Sequence, residues 1–63
     1  MIAIWKEKGE WDRDAYTAEH FDTNEELREA AKIFRGVCSV VAVYGDTTKE
    51  NALRWYFEEN KAR

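Results

Sequence analysis

The sequence predicts a single small α+β domain, in the order β-β-α-β-α, whose three-stranded sheet carries two helices packed on one face. Three observations predict it. Apolar residues alternate with period two near the N-terminus, and a β-branched run fills Val37 to Tyr44. Two threonine-led junctions are each followed by apolar residues at helical spacing. Glycines at positions 9, 36 and 45 cut the chain into segments of element length. The 63 residues form one domain, spanning 1–63, and leave no material for a second.

From Ile2 to Lys8, Ile2, Ile4 and Lys6 share one side while Ala3, Trp5 and Glu7 take the other, which predicts a strand. Gly9-Glu10 turns the chain. Ala15 to Phe21 reads as a second strand from its aromatic and β-branched residues, although its alanine and glutamate content leaves a short helix open over 11–21. Thr23-Asn24-Glu25-Glu26 has capping-box spacing, and Leu27, Ala30, Ala31 and Phe34 then recur as one apolar stripe. Gly36 is expected to end that helix in the left-handed conformation. Val37 to Tyr44 is apolar on both faces, so it is expected at the centre of the sheet, or covered by helices on one side and a partner on the other. Thr47-Thr48-Lys49-Glu50 repeats the capping spacing. Leu53, Tyr56, Phe57 and Asn60 then follow at helical spacing with Ala52 alongside, which predicts a second helix supported by a Glu50–Arg54 pair. A charged turn from Glu58 to Arg63 is expected to fray.

Composition excludes several function classes. There is one cysteine and one histidine. Cys38 has no disulfide partner and reads as a buried thiol in an apolar run. A lone thiol points to a reducing compartment. No stretch approaches the roughly 18 apolar residues of a membrane span, and no secretion signal opens the chain, so a cytoplasmic location is expected. The net charge is −3 and uneven, acidic from Glu10 to Asp22 and slightly basic from Thr48 to Arg63, and this asymmetry argues against nucleic acid, which calls for a clustered basic face. Asp12 and Asp14 would lie about 7 Å apart on an extended chain, but no further metal ligands follow at recognisable spacing. His20 reads as a partly buried strand residue. No nucleophile–base pattern, phosphate-cradling glycine loop or HExxH or CxxC motif is present, so neither enzymatic activity, a metal nor a cofactor is expected.

The aromatic residues are the informative feature. Three Trp, three Tyr and three Phe are many for so small a core: either they over-fill it to compensate for its size, or a subset lies at the surface. Trp5, Trp11, Tyr16 and Trp55 are the rings expected at the surface. Together with Glu10, Asp12 and Asp14 they make the candidate partner-binding set, since Trp and Tyr are enriched in binding hot spots and an acidic rim favours a basic partner. An alternative is a homo-oligomer that sequesters an anionic or nucleotide-like ligand between subunits, with Arg13, Arg28, Arg35 and Arg54 as the ligand-binding residues. Self-association would also cover the second apolar face of Val37 to Tyr44, so a homo-oligomer is expected.

Two junctions carry a resemblance. Phe21-Asp22-Thr23-Asn24-Glu25-Glu26-Leu27 and Tyr44-Gly45-Asp46-Thr47-Thr48-Lys49-Glu50 each pass from an aromatic residue through Asp-Thr into a helix. With the strand-hairpin opening, they resemble in a general way small phage-encoded proteins that counter host defences or redirect host machinery. The resemblance implies a binding role in the host cytoplasm: an anti-defence inhibitor that blocks a host protein, or a sequestering protein.

Overall fold

The computed structural model describes residues 1–60 and contains β1 (Ile2–Glu7), a single 3-10 turn (Arg13–Ala15), β2 (Tyr16–His20), α1 (Asn24–Phe34), β3 (Cys38–Tyr44) and α2 (Lys49–Asn60). The α+β class and the β-β-α-β-α order stand as the sequence predicts. Over 11–21 the chain makes the 3-10 turn first and then extends.

The sheet order is β2-β1-β3, and β1 is antiparallel to both neighbours. The N-terminal strand, not Val37 to Tyr44, is therefore central. The reason lies in β1 itself, which is apolar on both sides: Ile2, Ala3, Ile4 and Trp5 are all buried. β2 and β3, each antiparallel to β1, run parallel to one another, so α1 crosses over one face of the sheet to join them.

That crossover corrects the expected one-sided packing. On one face, Ala52, Leu53 and Tyr56 of α2 pack with Ile2, Ile4, Ala18, Ala42 and Tyr44. Trp5 points to the other face, where its ring meets Phe34 of α1 and Phe21, each at 6.3 Å between centroids. A strand with Ile2 and Ile4 on one side and Ala3 and Trp5 on the other needs cover on both, and the two helices supply it. Of the seven buried hydrophobic residues, four are alanines, and Ile4 alone among the large side chains is fully enclosed. The core is thin.

β3 pairs with β1 in two registers. Tyr44, Val43 and Ala42 oppose Ile2, Ala3 and Ile4, whereas Val40, Ser39 and Cys38 oppose Trp5, Lys6 and Glu7. Val41 is the extra residue of a bulge. Cross-strand partners share a face, so Ala42 and Tyr44 face α2, and Val40 and Cys38 face the Trp5 side.

The caps follow the sequence with two shifts. Thr23 Oγ1 accepts from the Glu26 N–H at 3.1 Å, and the Glu26 carboxylate accepts from the Asp22 N–H at 3.3 Å. Before α2 the cap is Thr48, not Thr47: Thr48 Oγ1 accepts from the Asn51 N–H at 3.1 Å, while Thr47 Oγ1 is buried without a partner. Arg54 donates to Asn51 Oδ1 at 2.7 Å rather than pairing with Glu50. Gly36 is not left-handed; Gly9, with φ of 83°, is the glycine that needs positive φ among the described residues. α1 closes instead with Arg35 in helical conformation and the Val37 N–H donating to Phe34 O at 2.8 Å. The expected frayed turn lies partly outside the described residues; to Asn60 the chain is helical.

Candidate interaction surface

The hairpin between β1 and β2 gathers the acidic part of the predicted set. Gly9 reverses the chain, the Glu10 N–H donates to Glu7 O at 3.3 Å, and the 3-10 turn closes with the Ala15 N–H donating to Asp12 O at 2.9 Å. These turns place Glu7, Glu10, Asp12 and Asp14 around one small concavity of about 130 Å³ floored by Ala15. Trp11 stands beside it, 79% exposed, with Lys6 Nζ 4.0 Å from its ring centroid. The ion pairs among the described residues are His20–Asp22, Lys32–Glu29 and Lys49–Glu19, so none of the four carboxylates is paired. The nearby guanidinium of Arg13 lies over the Phe57 ring at 4.4 Å. The hairpin thus sets four carboxylates around the concavity with an exposed indole beside them, while Lys6, Lys8 and Arg13 of the same segment offset three of the four charges. No group of three or more His, Cys, Asp or Glu side chains among the described residues is placed to hold a metal ion.

The other predicted rings go elsewhere. Trp5, expected at the surface, is 5% exposed, because α1 and Phe21 cover its side of the sheet. Tyr16 is half-buried against Tyr56 and Phe57, at 5.5 and 5.2 Å. Trp55 is partly exposed, but it stacks edge-on to Tyr44 at 5.9 Å in a separate cluster. Glu10, Trp11, Asp12 and Asp14 are therefore together, and Trp5, Tyr16 and Trp55 are not part of that surface. His20 is exposed rather than partly buried, with Nδ1 3.8 Å from the Asp22 carboxylate.

A second concave region lies between α1 and the Trp5 face of the sheet. This cleft of about 350 Å³ is lined by Trp5, Thr17, Glu19, Phe21, Ala30, Phe34 and Cys38. It leaves Cys38 half-buried rather than enclosed. The Trp5 Nε1–H is buried with no hydrogen-bond partner. Arg13, Arg28, Arg35 and Arg54 line neither this cleft nor the acidic concavity, so the four predicted ligand-binding arginines do not converge on either.

A third feature bears on the second apolar face of Val37 to Tyr44, which the sequence leaves without cover inside one copy. Ile33, Phe34, Val37, Val41 and Val43 are 38–73% exposed; two lie at the end of α1, Val37 in the turn that follows, and two along β3. The uncharged run from Gly36 to Gly45 was the available signal, but it reads equally as a central strand.

No helix among the described residues is long and apolar enough to cross a membrane. The chain matches no family model, no curated protein and no solved structure.

Proposed function

We propose that the chain is a non-enzymatic binding protein that blocks a partner with a basic surface, docking through Trp11 and the carboxylates of Glu7, Glu10, Asp12 and Asp14. The observation that carries this reading is the exposure of Trp11 beside four unpaired carboxylates. A large ring left in water contributes little to folding, whereas a tryptophan at the centre of an interface can contribute 2 kcal/mol or more to binding. The carboxylates repel acidic surfaces and steer basic ones, so they set partner choice and association rate more than final affinity. The inhibitory form of the role, with a host protein as target, draws its support from the resemblance to phage-encoded host-takeover proteins.

The test compares wild type with Trp11→Ala and with a triple variant, Glu10→Gln, Asp12→Asn and Asp14→Asn. Each is immobilised against a candidate host lysate, and the retained protein is then titrated by calorimetry. The expected result is one stoichiometric basic protein whose affinity falls about 30-fold with Trp11→Ala, the equivalent of about 2 kcal/mol. Its binding weakens with added salt, and the triple variant flattens that dependence. Equal retention by all three proteins, or no basic protein retained, would overturn the reading.

A further inference from the structure

The cleft between α1 and the Trp5 face of the sheet has the size and lining of a small-molecule site. Its volume of about 350 Å³ lies within the roughly 300–1,000 Å³ of ligand pockets. Trp5, Phe21, Phe34 and Ala30 give it apolar walls. A cavity of about 150 Å³ holds benzene, so this one has room for roughly two fused rings.

The polar groups define the ligand further. No lysine, arginine or histidine among the described residues lines the cleft, and its one carboxylate, Glu19, lies 3.7 Å from Lys49 Nζ. An anion finds no countercharge there, and a cation finds only a carboxylate that is already paired. Taking an uncompensated charge out of water is costly, so an uncharged ligand is favoured. One donor is left to satisfy. Trp5 is 5% exposed and its Nε1–H has no partner, although folded proteins pair nearly all such groups. An acceptor on the ligand completes it. Because that N–H is enclosed, the indole must turn slightly as it takes the acceptor.

We propose that this cleft binds an uncharged, flat molecule of roughly two fused rings, packed on Phe21 and Phe34, whose single acceptor atom takes the Trp5 Nε1–H. The site shares no residue with the acidic Trp11 hairpin, so either assignment can fail without the other.

Quinoline, which is uncharged at neutral pH and carries one ring acceptor, is the probe. N-methylquinolinium has the same rings with a positive charge and no acceptor, and naphthoate carries a negative charge. Proton–nitrogen correlation NMR of the full chain resolves one indole N–H for each of the three tryptophans, and Trp5→Phe identifies that of Trp5. Quinoline should bind with a Kd below about 1 mM and move the Trp5 indole proton downfield, leaving Trp11 and Trp55 in place. Both charged probes should bind at least about tenfold more weakly, the cost of an uncompensated charge. Trp5→Phe should weaken quinoline about fivefold, the loss of one ordinary hydrogen bond. Ala30→Leu, which fills the cleft from α1, should abolish binding while far-UV circular dichroism shows the fold retained. Bound quinoline should also slow alkylation of Cys38, the sole thiol, by iodoacetamide. No binding of quinoline up to about 1 mM would overturn the inference. So would equal affinity for the charged probes, equal affinity in Trp5→Phe, or shifts confined to Trp11 and Trp55.

Discussion

Replacing Trp5 with phenylalanine sets two opposed effects against each other. Trp5 is 5% exposed and packs on Phe21 and Phe34, so the change removes buried ring. The two side chains differ by roughly 40 Å² of burial, or about 1 kcal/mol at 25 cal/mol/Å². Against this, the Nε1–H has no partner, and an unsatisfied buried donor costs about 1–3 kcal/mol. Phenylalanine has no such group. The adjoining cleft already supplies empty space beside the ring, so little new strain follows. The net expectation is a stability within about 1 kcal/mol of wild type, on either side. Trp5→Ala keeps the gain but loses the whole ring and should cost about 3–5 kcal/mol. A domain of this length has only about 3–9 kcal/mol to lose, so that variant should be close to unfolding. Urea denaturation followed by circular dichroism distinguishes the cases. With a slope near 1 kcal/mol/M, Trp5→Phe should move the midpoint by less than about 1 M. A cost above about 2 kcal/mol would mean that the indole N–H is partnered, and the reasoning would be refuted.

Two further outcomes follow from single side chains. Thr48→Ala should cost about 0.5–2 kcal/mol through loss of the α2 cap, whereas Thr47→Ala, at the neighbouring unpartnered hydroxyl, should cost less; paired thermal melts check the order. Burial first, and then the Glu59 carboxylate that accepts its hydroxyl at 3.2 Å, raises the Tyr44 pKa above its usual value of 10.0. The folded chain therefore keeps a proton that the unfolded chain releases near pH 10, so this contribution is intact below pH 10 and is lost as pH rises through the folded value. Tyr44→Phe should flatten that alkaline decline in denaturation midpoints taken from pH 8 upward.

The elements were legible in the sequence because each is specified locally. Thr23 and Glu26 sit where the α1 cap needs them, and Ala52, Leu53, Tyr56 and Phe57 keep the helical period that α2 buries or half-buries. Strand order was not legible. Both β1 and the Val37 to Tyr44 run are apolar on two sides, and only the crossover through α1 decides which lies between the others. The same crossover buried Trp5, whose alternation said that it opposes Ile4 but not that a helix would cover it. Gly36 and Thr47 were misassigned by one local signal each, since a glycine after a helix and the first of two threonines are common but not obligatory caps. In the candidate site, Glu10, Trp11, Asp12 and Asp14 were found because they are sequence neighbours in a turn. The open face of Val37 to Tyr44 was anticipated from its two apolar sides, whereas the exposure of Ile33 and Phe34 at the end of α1 was missed because it depends on packing at a distance.

The doubled residue in β3 governs how this protein can vary. From Cys38 to Tyr44 the even positions are the half-buried ones throughout, yet they serve two different hydrophobic compartments, one on each side of the sheet. Shortening the strand by one residue at Val41 would restore an unbroken ladder in which both halves keep their present registers and faces. Losing or gaining a residue elsewhere in the strand would instead turn one half away from its helix, so Val41 is the position at which the length of this segment can vary.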